Sequence, residues 1–199
     1  MPHLDFYFDL SSPYSYLAAT QLPALAARTG ATIAWKPVVL GAVFQAMGNR
    51  MPAAVPAKAG YMLQDLQRWA RRYGVPFQFT SRFPVNAITA HRLILVAGER
   101  GPELAMDAFS RLWAHDEDIT APDTLVALAQ GVGLDPADAL VAMSTPVIKD
   151  QLRALTDEAI AAGMFGAPAF VVHGDLYWGN DRLDFVEEAL RTGGAHSKA

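Results

Sequence analysis

What most constrains this chain is where its strand-like segments fall: near both ends, and nowhere between Leu40 and Pro146. At the front, Leu4-Asp5-Phe6-Tyr7-Phe8-Asp9 is rich in aromatic residues and bounded by Ser11-Ser12-Pro13, which predicts a first strand. Pro13 suits the first turn of a helix with Ser12 as N-cap, and the apolar pattern predicts a helix running on to Ala27 before Gly30 stops it. Ala31–Val39 alternates around Ile33, Trp35 and Val38 and predicts a second strand. A strand, a helix and a strand in this order place the two strands parallel.

The middle of the chain carries helical periods separated by breakers: Ala57–Tyr73, Asn86–Arg100, Pro102–Ala114, Pro122–Gly131 and Pro136–Met143. A longer helix opens at Thr145-Pro146 and closes at Gly163. Ala169–His173 and Leu176–Trp178 then predict two short strands joined at Gly174-Asp175, a hairpin signal. Asp181–Arg191 predicts a last helix and Thr192–Ala199 a frayed tail. The order is β-α-β, a helical block, then α-β-β-α, without repeats or low-complexity segments. It predicts an α/β fold in which residues 1–39 and 146–199 form the sheet-bearing domain and residues 40–145 an inserted all-helical domain.

Composition narrows what such a fold can serve. The 199 residues are 52% hydrophobic and 18% charged, enough for one core with an insertion. The net charge is −4 and no basic run exceeds Arg71-Arg72, which argues against nucleic-acid partners. No apolar stretch approaches the ~20 residues of a membrane span, and Met1 leads at once into the strand-like Leu4–Asp9 rather than a signal peptide. The expected setting is the cytoplasm, with no membrane partner. His3, His91, His115, His173 and His196 are scattered without metal-ligand spacing, so no metal is expected.

The chain has no cysteine, hence no disulfide, no thiolate metal site and no cysteine nucleophile. That absence matters because of where the first helix starts. The order of elements is that of a thioredoxin-like fold with a helical insertion. In thioredoxin-like dithiol enzymes the reactive sulfur sits at the N-terminus of the helix after the first strand, where backbone N–H groups and the helix dipole lower its pKa. The DsbA type reads Cys-Pro-x-Cys there; this chain reads Ser12-Pro13-Tyr14-Ser15. If the helix start still serves an anionic sulfur, the sulfur must arrive on a ligand, and glutathione is the obvious cytoplasmic one. Lowering a thiol from about 8.5 to about 6.5 takes roughly 2.7 kcal/mol, which a hydroxyl donor and the first-turn N–H groups can supply together. Taken alone, Ser12 reads first as an ordinary N-cap.

Several segments together carry a resemblance. Phe6-Tyr7-Phe8-Asp9-Leu10-Ser11-Ser12-Pro13-Tyr14-Ser15-Tyr16 resembles the opening of 2-hydroxychromene-2-carboxylate isomerases and kappa-class glutathione transferases. Gly48-Asn49-Arg50-Met51-Pro52 with Val55-Pro56-Ala57-Lys58 is similar to that family's glutathione loop and helix start, and Leu112–Thr120 to its acidic helix end. Phe165-Gly166-Ala167-Pro168 resembles its cis-proline turn, and Trp178-Gly179-Asn180-Asp181-Arg182 the loop that holds the γ-glutamyl end. The resemblance implies a thioredoxin-like α/β fold, glutathione as cofactor and usually a homodimer. It implies that Ser12 contacts the glutathione sulfur; Ser11 stands where many members have an apolar residue, which leaves open which of the two hydroxyls faces the sulfur. It further implies that Asn49 and Lys58 touch the tripeptide and that Ala167, before a cis Pro168, presents its backbone to the cysteinyl part. One of Asn180 and Asp181 would bind the γ-glutamyl ammonium, and Asn180 could add a side-chain hydrogen bond. Ala167 stands where Val or Leu is common in the family, a change its backbone role tolerates.

Each residue also has a plainer reading. Lys58 can be a solvated charge at a helix start, Asn49 a turn residue, and Asn180 or Asp181 an N-cap of the last helix. Asp116-Glu117-Asp118 reads as an N-cap for the helix at Pro122, or as polar contacts at a domain or dimer seam. Three chemistries fit the resemblance: isomerisation of 2-hydroxychromene-2-carboxylate, a small aromatic acid, by reversible addition of glutathione thiolate; glutathione transfer or peroxide reduction of the kappa kind; and non-catalytic binding of the DsbA-group kind. Arg82 and Arg92 are the guesses for a partner of the substrate carboxylate.

Overall fold

The structure is a computed structural model that describes residues 1–193. Of the expected tail, Thr192 ends the last helix and residues 194–199, His196 among them, lie outside the described residues.

The chain opens with β1 (His3–Phe8), followed by α1 (Pro13–Ala19), α2 (Leu22–Thr29) and β2 (Thr32–Pro37). The single helix expected up to Ala27 is therefore two. Pro23 has no N–H to offer the previous turn and its ring crowds the carbonyl four residues back, so α1 ends and α2 begins with Pro23 in its first turn. Gly30 closes α2 in the left-handed conformation at φ +67°, as its position predicts. A short α3 (Leu40–Ala46) comes next, a helix the sequence did not announce: it has seven residues, an internal glycine and no side-chain cap. Then follow α4 (Pro56–Tyr73), α5 (Ile88–Val96), α6 (Gly101–His115), α7 (Pro122–Gly131), α8 (Pro136–Ala142) and α9 (Pro146–Ala161). The span expected over Asn86–Arg100 is shorter because Gly98 turns to φ +55° inside a separate 3-10 turn.

The chain closes with β3 (Ala169–Val172), β4 (Asp175–Trp178) and α10 (Leu183–Thr192). The hairpin sits one residue earlier than expected. His173 and Gly174, both at positive φ, form its two-residue turn, and Asp175 already pairs with Val172. The start expected at Asp181 is a 3-10 turn, Asn180–Arg182, and neither Asn180 nor Asp181 caps α10.

The sheet has the order β2-β1-β3-β4, with β1 and β2 parallel as expected and the other pairs antiparallel. Its register aligns Trp35, Phe6, Phe170 and Tyr177 across all four strands. Phe6 lies edge-on to Trp35 at 5.0 Å and stacks with Phe170 at 5.4 Å. On this face Leu4, Phe6, Phe8 and Phe170 are fully buried in one core with Leu17 of α1, Phe109 and Trp113 of α6, and Leu128 of α7. Each such side chain contributes about 1.5–3 kcal/mol by leaving water. Tyr7 and Ala169 point the other way, into a smaller cluster with Val43 of α3 and Ala159 of α9. Helices thus cover both faces, and the end of β1, the start of α1 and the loop before β3 meet at one edge.

Candidate active site

The turn from β1 to α1 is held at every step. The Asp9 carboxylate, almost wholly buried, accepts from the Ser11 N–H at 2.8 Å, the Ser11 hydroxyl at 2.7 Å and the Leu40 N–H at 2.8 Å. The Ser12 N–H donates to the Asp9 carbonyl at 2.9 Å. Leu10 lies between strand and helix with neither to pair with. Its N–H donates to Nε2 of His91 at 2.9 Å and its carbonyl accepts from Nε1 of Trp113 at 2.8 Å. Because Nε2 accepts, the imidazole proton rests on Nδ1. Burial pushes the His91 pKa below the histidine range, against a weaker opposing pull from Asp9, which keeps the ring neutral.

Ser12 is the N-cap of α1, and its Oγ accepts from the Ser15 N–H at 3.2 Å. The same hydroxyl donates to the Ala167 carbonyl at 3.1 Å. Ala167-Pro168 is a cis peptide, as the resemblance implies. Capping and facing the Ala167 backbone are thus one geometry. Between the two serines, Ser11 spends its hydroxyl on Asp9, whereas Ser12 points at the loop before β3. Ser15 is fully buried and its hydroxyl finds no partner among the described residues.

Asn49 reaches this loop too: its Nδ2 donates to the Phe165 carbonyl at 2.9 Å while its Oδ1 accepts from the Arg50 N–H. Lys58 is exposed in the first turns of α4, with no ion pair among the described residues. Asp181 is half-exposed and pairs with Arg182 at 2.6 Å. Asn180 is turned inward, its amide 3.4 Å from the Tyr73 hydroxyl, which itself donates to the Asn180 carbonyl at 3.0 Å. Gly179, at φ +106°, makes the bend between β4 and this turn, a conformation that L side chains rarely adopt.

Sequence reasoning missed Tyr14 and Asp65. The Tyr14 hydroxyl, from the first turn of α1, donates to Asp65 of α4 at 3.0 Å. Burial, the Asp65 bond and the charges of Asp65 and Asp181 together push the Tyr14 pKa up, so it stays a neutral donor in an acidic corner. The pair is 51 residues apart in sequence, and no local pattern announces it. It also missed the exposed aromatic pair Phe165 and Trp178, whose ring centroids are 4.8 Å apart. A Cβ on Gly166 would come within 2.6 Å of the Trp178 indole nitrogen, so the indole lies against the loop backbone only because this residue is glycine.

The remaining candidates belong elsewhere. Asp116 is no cap for α7: it ends α6 at φ +55° and accepts from the Thr80 hydroxyl and from the N–H and hydroxyl of Ser81, which holds its pKa down at about 2. Asp118 instead accepts from Thr120, and α7 starts after Ala121 with no side-chain cap. Arg82 donates to the Asp116 carbonyl at 2.6 Å, and Arg92 on α5 has a buried Nε without a partner among the described residues.

Residues 3–191 match the family model of the DSBA-like thioredoxin domain. The 2-hydroxychromene-2-carboxylate isomerase of Sphingobium xenophagum is 37% identical over 190 residues, covering 94% of this chain and 97% of that protein. Glutathione S-transferase kappa 1 of Caenorhabditis elegans is 31% identical over 211 residues, covering 96% and 92%. A solved structure of a 2-hydroxychromene-2-carboxylate isomerase superposes with a TM-score of 0.89 at 28% identity, over 98% of this chain and 100% of that one. The serine at the helix start, the cis Ala167-Pro168 turn and these likenesses agree: the chain is an enzyme of the 2-hydroxychromene-2-carboxylate isomerase and kappa-class glutathione transferase family, built on a DsbA-like thioredoxin domain.

Proposed function

We propose that this enzyme is a glutathione-dependent isomerase that converts 2-hydroxychromene-2-carboxylate to trans-o-hydroxybenzylidenepyruvate. The observation that carries the reading is the Ser12 hydroxyl, which caps α1 and faces the Ala167 carbonyl in a chain with no sulfur nucleophile of its own. The described residues fit the tripeptide. Lys58 and Asp65 stand seven residues apart on α4, two turns along one face and about 10.5 Å in rise. An ordinary extended tripeptide spans about 10–11 Å, and the γ-linkage of glutathione makes it somewhat longer, enough to lie along this face. Lys58 would meet its glycyl carboxylate, and Asp65 with Asp181 its γ-glutamyl ammonium, beside Tyr14. Asn180, turned toward Tyr73, would act by fixing this corner rather than by touching the ligand. Asn49 would serve from the loop it latches to Phe165.

When bound, glutathione would supply a nucleophilic sulfur for reversible addition to 2-hydroxychromene-2-carboxylate or its ring-opened form, allowing rotation about a single bond with no net oxidation. The protein's part is to keep that sulfur ionised. The Ser12 hydroxyl, released from Ala167, donates to the thiolate, and the first-turn dipole of α1 adds to it. Phe165 and Trp178, exposed beside the loop, offer an apolar surface for the substrate's aromatic ring. The kappa-type transferase reading uses the same activated sulfur and is supported by the likeness to the kappa enzymes. A spectrophotometric assay with 2-hydroxychromene-2-carboxylate, with and without glutathione, separates the two. Isomerisation that requires glutathione and falls in Ser12→Ala is expected; glutathione conjugation without isomerisation would overturn the isomerase reading.

A further inference from the structure

We propose that His91 and Trp113, two side chains of the helical block, are positioning residues that hold both backbone polar groups of Leu10 and so fix where the Ser12 hydroxyl stands. Leu10 is wholly buried two residues before Ser12, and its N–H and C=O fall where neither β1 nor α1 can pair them. His91 accepts from the N–H and Trp113 donates to the C=O, reaching the turn from positions 81 and 103 residues later. Both rings are buried and packed against aromatic neighbours. The imidazole stands edge-on to Phe8 at 6.3 Å, and the indole lies against Phe77 and Phe79 at 6.1 and 5.6 Å.

A group that only filled space here would be better apolar. The His91 Nδ1 is buried without a partner among the described residues, a desolvation cost that a phenylalanine would avoid. What the imidazole has and phenylalanine lacks is the Nε2 acceptor for Leu10. The Asp9 carboxylate already fixes Ser11, so with Leu10 gripped the run from Asp9 to Ser12 has no slack. The Ser12 oxygen then meets the Ser15 N–H and the Ala167 carbonyl together. Activity depends on such placement to a fraction of an ångström. The effect on sulfur chemistry rests on the glutathione reading above; the grip on the turn does not.

The test compares His91→Phe, His91→Gln, His91→Asn and Trp113→Phe with the parent enzyme. Glutamine puts its side-chain oxygen near the place of Nε2, whereas asparagine puts it near Nδ1. The readouts are amide exchange at Leu10 and Ser15 without ligand, the ultraviolet thiolate titration of bound glutathione, and kcat and KM in the isomerase assay. His91→Phe, His91→Asn and Trp113→Phe should speed exchange at Ser15 and raise the pKa of the bound thiol. They should lower kcat at neutral pH roughly three- to tenfold with KM for glutathione little changed, the scale of one misplaced hydrogen bond. His91→Gln should recover most of each loss. Should His91→Phe fail to fold, Trp113→Phe and the glutamine–asparagine pair carry the same comparison. Variants that melt lower yet titrate and turn over like the parent would overturn the proposal, as would glutamine and asparagine behaving alike. If the parent itself shows no thiolate signal, the glutathione reading falls. The exchange arm then still decides the grip on the turn: unchanged exchange at Leu10 and Ser15 refutes it.

Discussion

Two segments reach the loop before β3, and they are built in opposite ways. The turn Asp9–Ser15 touches it through Ser12 and Ala167. It is buried almost throughout, and Asp9, His91 and Trp113 hold Ser11 and Leu10 in place, while the buried Ser15 hydroxyl has no partner among the described residues. The stretch from Met47 to Lys58 touches it through Asn49 and Phe165 and is mostly exposed among the described residues. The first segment would position a charge that develops on sulfur, where an error of a few tenths of an ångström costs rate. The second would close around the ends of a peptide, where each contact contributes little and has to form and break as the peptide enters and leaves. Prearranged geometry is thus concentrated where the chemistry is proposed, and adaptability where the ligand would enter.

If that contrast is right, the largest effect belongs to Ser12→Ala. Removing a donor to a charged group costs about 1.5–3 kcal/mol, so the bound thiol should ionise one to two pH units higher, and turnover at neutral pH should fall ~10- to 100-fold. Ser11→Ala, whose hydroxyl serves Asp9 rather than the loop, should do much less. A stopped-flow titration of bound thiolate in both variants checks this, and equal losses would break the distinction between the two hydroxyls.

Next come the residues proposed for the peptide ends. Asp65→Asn and Lys58→Ala should each raise KM for glutathione by about fivefold, the scale of a partly exposed charge pair, and leave kcat nearly intact. A fall in kcat as large as that of Ser12→Ala would mean that the open segment also takes part in the chemistry.

A pH experiment probes the buried side of the comparison through stability. His91 is held neutral in the fold, so the unfolded chain binds a proton that the folded chain refuses. Its contribution to stability is complete above the ordinary histidine value of about 6.5 and is lost as pH falls below it, toward the depressed folded value. Melting temperature should therefore drop on the acid side, and His91→Gln should drop less. An identical acid slope in the two proteins would refute this.

The smallest effect is expected from Asn49→Ala. Its bond to Phe165 is exposed, so the melting point without ligand should hardly move, while the thermal shift produced by millimolar glutathione should shrink. Differential scanning fluorimetry measures both.

The features legible in the sequence were those made by neighbours. Ser12-Pro13, Thr145-Pro146 and Gly30 announce helix ends because capping is settled within a few residues, and each stands where it was read. The aromatic strands and the closing hairpin were legible for the same reason, apart from a slip of one residue at His173. Local patterns misled where they overlapped. The apolar run through α1 and α2 hid the break that Pro23 imposes, and the acidic run after α6 resembled a cap while Asp116 was tying down Thr80 and Ser81. The pairs Tyr14–Asp65, Leu10–His91 and Leu10–Trp113 depend on how the helical block docks, which no window of sequence contains. Nor does the sequence show that Asn180 is buried beside Tyr73, an orientation made by the 3-10 turn after Gly179.

The Ser12 hydroxyl has one hydrogen to give, and it gives it to the uncharged Ala167 carbonyl. A sulfur must outcompete that carbonyl to claim it. A thiolate, being charged, is the stronger acceptor; a thioether is the weaker one. The same atom should therefore favour entry of the free peptide in its ionised form and departure of any S-alkylated product. S-methylglutathione should accordingly be a poor competitive inhibitor, its affinity insensitive to Ser12→Ala. The carbonyl makes Ser12 a filter that favours the ionised free peptide over its S-alkylated forms.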